Sequence, residues 1–148
     1  MTKLERTIDI DASPEDVYDY LTDPTKLGDW VKIQEALVSA PEPPLAKGDK
    51  VKQRMKVAGK KFEVEWDVEV ADRPKKVRWT GGGPMGSKAT ATYEIKSNGN
   101  GGTTFSYLNE YDIPGGPLGK VAGKAIVAAS GGEADGSLKR LKANIEKG

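Results

Sequence analysis

The sequence contains no cysteine and no histidine. That removes disulfides, thiolate nucleophiles, Cys/His zinc sites, Ser-His-Asp triads and imidazole acid–base chemistry. Any catalysis has to rest on carboxylates, Lys, Arg, Tyr or bound water. No apolar run approaches the roughly 20 residues that span a bilayer, and Met1 to Arg6 lacks the apolar core of a secretion signal. No Asn-x-Ser/Thr sequon is present. These absences lead us to expect a soluble protein of the cytoplasm. Neither sign of charge prevails, with 23 Lys+Arg against 22 Asp+Glu and a formal charge of +1. Without a large field, nucleic acid and anionic membrane are not expected partners. At 148 residues and 15.9 kDa the expectation is one ligand-binding domain over 1–148, burying about two-thirds of its unfolded surface.

The polar–apolar pattern then gives the element order. Lys3 to Asp11 reads as a strand with Leu4, Ile8 and Ile10 in phase. Ser13-Pro14-Glu15-Asp16 starts a helix, since Ser13 can cap free amides and Pro14 suits the first helical position. Thr22-Asp23-Pro24 stops it and starts a second short helix carrying Leu27 and Trp30. Val31 to Ala40 is a weaker strand. Lys50 to Val57 and Lys61 to Val70 alternate strictly, the first with a basic wet face and the second with an acidic one. A Gly59-Lys60 type II′ turn would set Lys56 opposite Glu63 and Arg54 opposite Glu65, opposite charges facing throughout. Further strands cover Lys75 to Thr80, Ser87 to Ser97 and Thr103 to Ile113. The final thirty residues show helical spacing, interrupted by Gly131-Gly132 and Gly136.

A seven-stranded, mostly antiparallel sheet twists and curls, and its dry face needs an apolar cover. Only the terminal helix is long enough. The predicted class is therefore α+β, a curved antiparallel sheet wrapped around a long C-terminal helix, with two short helices after the first strand. Small residues at facing positions (Ala89, Ala91, Ala122, Ala125, Ala129) leave room for a cavity between sheet and helix. Polar side chains in the dry phase, Gln53, Tyr93, Tyr107, Asn109 and Tyr111, each require a partner from protein, water or ligand. The expected lining is Gln53, Met55, Val64, Trp66, Trp79, Ala91, Tyr93, Tyr107, Asn109 and Tyr111 from the sheet, with Ala122, Ala125 and Ile126 from the helix. Trp30 either caps the pocket mouth or staples the short helices to the sheet, and the staple is the preferred reading. The loop Gly81 to Gly86 and the middle of the last helix are the candidate moving parts.

Other strings carry bland readings. Gly81-x-Gly83-x-x-Gly86 matches a dinucleotide fingerprint only as text, because a strand and not a helix follows it. Glu63, Glu65, Asp67 and Glu69 form a solvated ladder against Lys50, Lys52, Arg54 and Lys56, so neither run makes a metal or nucleic-acid site.

The opening Ile8 to Leu21, then Asp23-Pro24-x-x-Leu27-x-x-Trp30, Gly102-Thr103-Thr104 and Glu110-Tyr111-Asp-x-Pro114-Gly115 resemble the START-like or SRPBCC superfamily, the helix-grip fold of the birch-allergen type. The branch most similar is the bacterial polyketide cyclase/dehydrase and lipid-transport group. The resemblance implies an apolar small-molecule ligand, and fold alone does not decide between binding and catalysis; no cofactor and no metal are expected. The first functional expectation is a carrier or sensor of an apolar or aromatic molecule. An aromatase/cyclase-like enzyme, with Arg6 turned inward, is the alternative. An interaction module with a vestigial cavity is the third. Oligomeric state is not legible.

Overall fold

The computed structural model describes residues 2–57, 59–82, 86–112, 132 and 134–147. The chain begins with β1 (Thr2–Ile10) and enters α1 (Pro14–Leu21) through Ser13, whose Oγ accepts from the Asp16 amide at 3.2 Å. A cap of this kind contributes about 1 kcal/mol. A 3₁₀ turn (Pro24–Lys26), capped by Asp23, leads into α2 (Leu27–Trp30). Six strands follow: β2 (Gln34–Ser39), β3 (Lys50–Val57), β4 (Lys60–Asp72), β5 (Lys76–Gly82), β6 (Lys88–Ser97) and β7 (Thr103–Asp112). Residues 134–147 form the C-terminal helix, here α3.

The seven strands make one antiparallel sheet in the order β1-β7-β6-β5-β4-β3-β2. Consecutive strands are therefore neighbours except for β1 and β2, which lie on opposite edges. The chain joining them must cross the sheet, and α1 and α2 make that crossing on the apolar side. Val17, Tyr18, Leu21, Leu27 and Trp30 are buried there. α3 is fastened to both partners. The Lys32 amide donates to Ser137 Oγ at 2.9 Å, Asn144 Nδ2 to the Asp29 carbonyl at 3.1 Å, and Lys142 Nζ to the Asp9 carbonyl at 2.7 Å. The seven-stranded, curved α+β helix-grip architecture is thus what the alternation and the terminal helical spacing predicted. The stretch 113–131, which carries Ala122, Ala125 and Ile126 and most of the expected closing helix, lies outside the described residues.

Two local expectations need correction. In the β3–β4 hairpin Val57 pairs with Lys60, and Gly59, directly before Lys60, has φ +80°. Lys56 therefore faces Lys61, and Arg54 faces Glu63. The shift amounts to two residues, which leaves every side chain on its predicted face because the strand period is two. The wet face remains an ion-pair ladder, with Lys50 to Asp67 at 2.6 Å, Lys52 to Glu63 at 3.5 Å and Arg54 to Glu63 at 3.3 Å, while Lys61 reaches Glu35 at 2.9 Å. Secondly, Gly81 and Gly82 belong to β5 and not to a loop, since Gly81 pairs with Trp66 on one side and Ala89 on the other. A Cβ at Gly81 would stand 2.8 Å from both Val64 Cγ1 and Trp66 Cε3. Glycine is needed there for close approach of those side chains to the backbone.

Candidate ligand-binding cavity

The inner face of the sheet can be followed in rows across the paired strands. One row runs Ile8, Phe105, Ile95 and the next Arg6, Tyr107, Tyr93, Val77. Then come Leu4, Asn109, Ala91, Trp79, Val68, and finally Tyr111, Ala89, Gly81, Trp66, Val51. In the last two rows small residues stand between large ones. The small side chains of Ala91 and Ala89 leave space above the sheet, while Val64 and Trp66 close over Gly81, and a cavity of about 250 Å³ is lined by these strands together with α2 and α3.

Ten of the residues singled out from the sequence line this cavity: Gln53, Met55, Val64, Trp66, Trp79, Ala91, Tyr93, Tyr107, Asn109 and Tyr111. Ala122, Ala125 and Ile126 are outside the described residues. The sequence reading missed Leu27, Val31 and Ile33 from the α2 region, Phe62 and Ala89 from the sheet, and Ala134, Ser137 and Leu138 from α3. Phe62 and Ala89 were in the predicted dry phase, and Leu138 was in the helical repeat, so their signal was present. Ser87 and Lys88 at the start of β6 also line it, and no sequence pattern marks them. Trp30 combines the two roles weighed for it. It is 2% exposed, sits edge-on to Tyr93 with centroids 6.2 Å apart, and forms part of the cavity wall.

Aromatic rings dominate that wall. Tyr93 is stacked on Tyr107 at 5.7 Å and meets Trp79 and Phe105 edge-on at 5.7 and 5.4 Å. Such pairs add about 0.5–1.5 kcal/mol beyond area burial and hold the rings in fixed orientations. Burial pushes the phenols of Tyr93, Tyr107 and Tyr111 above the ordinary value of about 10, most strongly for Tyr93, where Trp79 offsets part of the effect. All three are therefore neutral near pH 7 and act as hydrogen-bonding groups, not bases. Among the described lining residues the single formal charge is Lys88, which is exposed. Arg6 does turn to the inner face, but its Nε is held by Asp135 of α3 at 2.7 Å and it is not part of the lining.

The polar inventory is uneven. Gln53 is fully engaged, its Oε1 accepting from Trp66 Nε1 at 2.7 Å and its Nε2 donating to Gln34 Oε1 at 2.5 Å. Asn109 Nδ2 donates to the Tyr107 hydroxyl at 2.8 Å. Asn109 Oδ1 and Trp30 Nε1 are buried and have no partner among the described residues. A second concavity, about 710 Å³ and open to solvent, lies outside between α1, the Pro43-Pro44 loop and α3. Its Arg73 and Asp19 are engaged with each other at 2.8 and 2.9 Å, so the smaller inner cavity is the better binding site. Among the described residues no three acids cluster as a metal site, and no helix is long and apolar enough to cross a membrane.

A sheet gripping a helix over an aromatic hollow defines a class of small-molecule-binding folds. Within that class, the family described as polyketide cyclase / dehydrase and lipid transport matches residues 1–146, and the chain belongs to it. An uncharacterized protein of Mycobacterium tuberculosis is 29% identical over 143 residues, 95% of this chain and 96% of its own. Among solved structures, an aromatase/cyclase from Streptomyces sp. R1128 superposes with a TM-score of 0.79 at 14% identity, covering 98% of this chain and 93% of that one. A protein of Thermus thermophilus gives 0.77 at 20% identity, with 97% and 96% coverage. Identities this low speak for the shared fold alone.

Proposed function

We propose that this protein is a single-domain cytoplasmic carrier or sensor that binds an apolar, aromatic small molecule between the sheet and α3. The observation that carries the reading is the 250 Å³ cavity, walled by Trp30, Trp66, Trp79, Tyr93, Tyr107 and Tyr111 and without a carboxylate among its described lining residues. The segment 113–131 contains no Asp or Glu either, its ionisable side chains being Lys120 and Lys124, and Glu133 is the one acid among the residues not described. A cyclase needs a group that moves protons at the reacting carbon, and phenols held neutral by burial suit binding better than proton abstraction. Affinity would come from apolar ligand area, about 25 cal/mol for each Å² removed from water.

The test is extraction of the purified protein followed by mass spectrometry, with titration of a neutral hydrophobic fluorescent dye. The expected result is one dominant apolar species, or an empty cavity that takes up one dye per chain. An extract without any bound species and a dye that does not bind would overturn the reading. A ligand recovered chemically altered after incubation would favour the cyclase-like alternative.

A further inference from the structure

Two side chains that line the cavity each carry a buried polar atom with no partner among the described residues, and the two atoms are of opposite kinds. Trp30 Nε1 can only donate, and Asn109 Oδ1 can only accept. A buried donor or acceptor without a partner bears the full cost of its lost hydration, and a ligand group of matching kind would relieve it. In the packed end of the same face the comparable groups are satisfied within the protein: Thr103 Oγ1 donates to the Ala12 carbonyl at 2.7 Å and Thr22 Oγ1 to the Tyr18 carbonyl at 2.8 Å. Gln53, the other amide in the cavity wall, is satisfied at both of its ends. Among the described residues, the buried unpaired atoms thus belong to two side chains that line the cavity.

We infer that Trp30 and Asn109 are the specificity-determining pair of this cavity, reading an acceptor oxygen and a hydroxyl on an otherwise apolar, uncharged ligand. This rests on the binding function proposed above and names the chemistry of its ligand. The indole N–H calls for an acceptor such as a ketone oxygen. The Asn109 amide calls for a hydroxyl in particular. With Nδ2 donating to Tyr107, the hydroxyl donates to Oδ1. With the amide turned over and Oδ1 on the Tyr107 phenol, the same hydroxyl accepts from Nδ2. A group that both donates and accepts satisfies either arrangement. An ionised carboxylate is disfavoured, since Lys88 is the single cation among the described lining residues and it is exposed at the surface.

The experiment is calorimetric titration of the full chain with one carbon frame carrying different polar groups: diphenylmethane, benzophenone, 4-benzylphenol, and 4-hydroxybenzophenone with its 3-hydroxy isomer. Dodecanoate serves as the charged comparison. The ketone and the hydroxyl should each improve affinity by about three- to tenfold, so that a hydroxybenzophenone binds best and dodecanoate more weakly than it. Trp30→Phe, which keeps a ring, should abolish the ketone's advantage and spare the hydroxyl's; Asn109→Leu should do the reverse. The series on the unsubstituted protein decides the matter even where a variant does not fold. Equal affinity for diphenylmethane and both hydroxybenzophenones would overturn the polar pattern and leave the binding function standing. Tighter binding of dodecanoate would overturn the preference for an uncharged ligand. Failure of every compound to bind up to its solubility limit would overturn the binding function and the pattern with it.

Discussion

At one end of the sheet's inner face Ile10, Val77 and Phe105 meet Val17, Leu21 and Leu141, and each of the six is at most 1% exposed. At the other end Trp79, Ala91 and Asn109 border a void. The two ends share strands, pleat and hydrogen-bond ladder, so neither backbone nor topology distinguishes them. The difference lies in side-chain size and in polar pairing. Where α1 covers β6, branched and aromatic residues fill the space. Where α2 and α3 stand over Ala89 and Ala91, the facing residues include Ala134 and Ser137, which are too small to fill the space. A core of native packing density devotes its volume to stability; this fold withholds that volume over part of one face.

Substitutions that treat the two ends alike should reveal the contrast. The largest effect is expected at the packed end, where Phe105→Ala should cost about 3–5 kcal/mol in urea denaturation; a loss below about 1 kcal/mol would mean that this end is hollow as well. Alkaline pH should act next. The folded-state pKa of Tyr93, Tyr107 and Tyr111 is raised, so the folded form keeps protons that the unfolded form loses above about pH 10. The stability these phenols confer is complete below that pH and falls as pH rises toward the folded values. Denaturation midpoints should be level between about pH 6 and 9 and drop steeply beyond 10, with Tyr111→Phe moving the drop upward. A drop already complete by about pH 9 would contradict this. The smallest stability effect is expected from Ala91→Leu, which adds bulk at the void. Binding of benzophenone should weaken by more than about tenfold while stability changes by less than about 1 kcal/mol, where overpacking a filled core costs about 1–3 kcal/mol. A large destabilisation with binding intact would erase the distinction between the two ends.

Much of this was legible in the chain. Alternation along β3 to β7 gave the strands and their faces, and with them ten lining positions, four of which fall in the strict run from Lys50 to Val70, because a period of two survives even an error of register. The register itself was not legible. Gly59 was placed first in the turn with Lys60 after it, whereas Lys60 already pairs with Val57 and the positive φ of Gly59 comes directly before that pair. The charge pattern could not expose the error, since cross-strand pairing tolerates a shift by one repeat; only the pairing of Lys56 with Lys61 suffers from it. The cavity share of α2 was obscured for a different reason. A four-residue helix offers too few turns for periodicity, and whether Trp30 closes a void or packs a core depends on what lies across from it, which local sequence does not record. Nor could residue type separate Gln53 from Asn109. Both are amides in the dry phase, and only the third dimension shows one answered by Gln34 and Trp66 and the other left with an open oxygen.

Tyr93 touches Phe105 on one flank and Trp30, Trp79 and Tyr107 on the other, so the filled and the vacant compartments have a party wall in common. A guest leaning on that ring leans on its far neighbour too. Occupancy should accordingly be felt as a rise in the cooperative melting of the entire domain, and the molecule would report its cargo through its own thermal endurance without any hinge or lid.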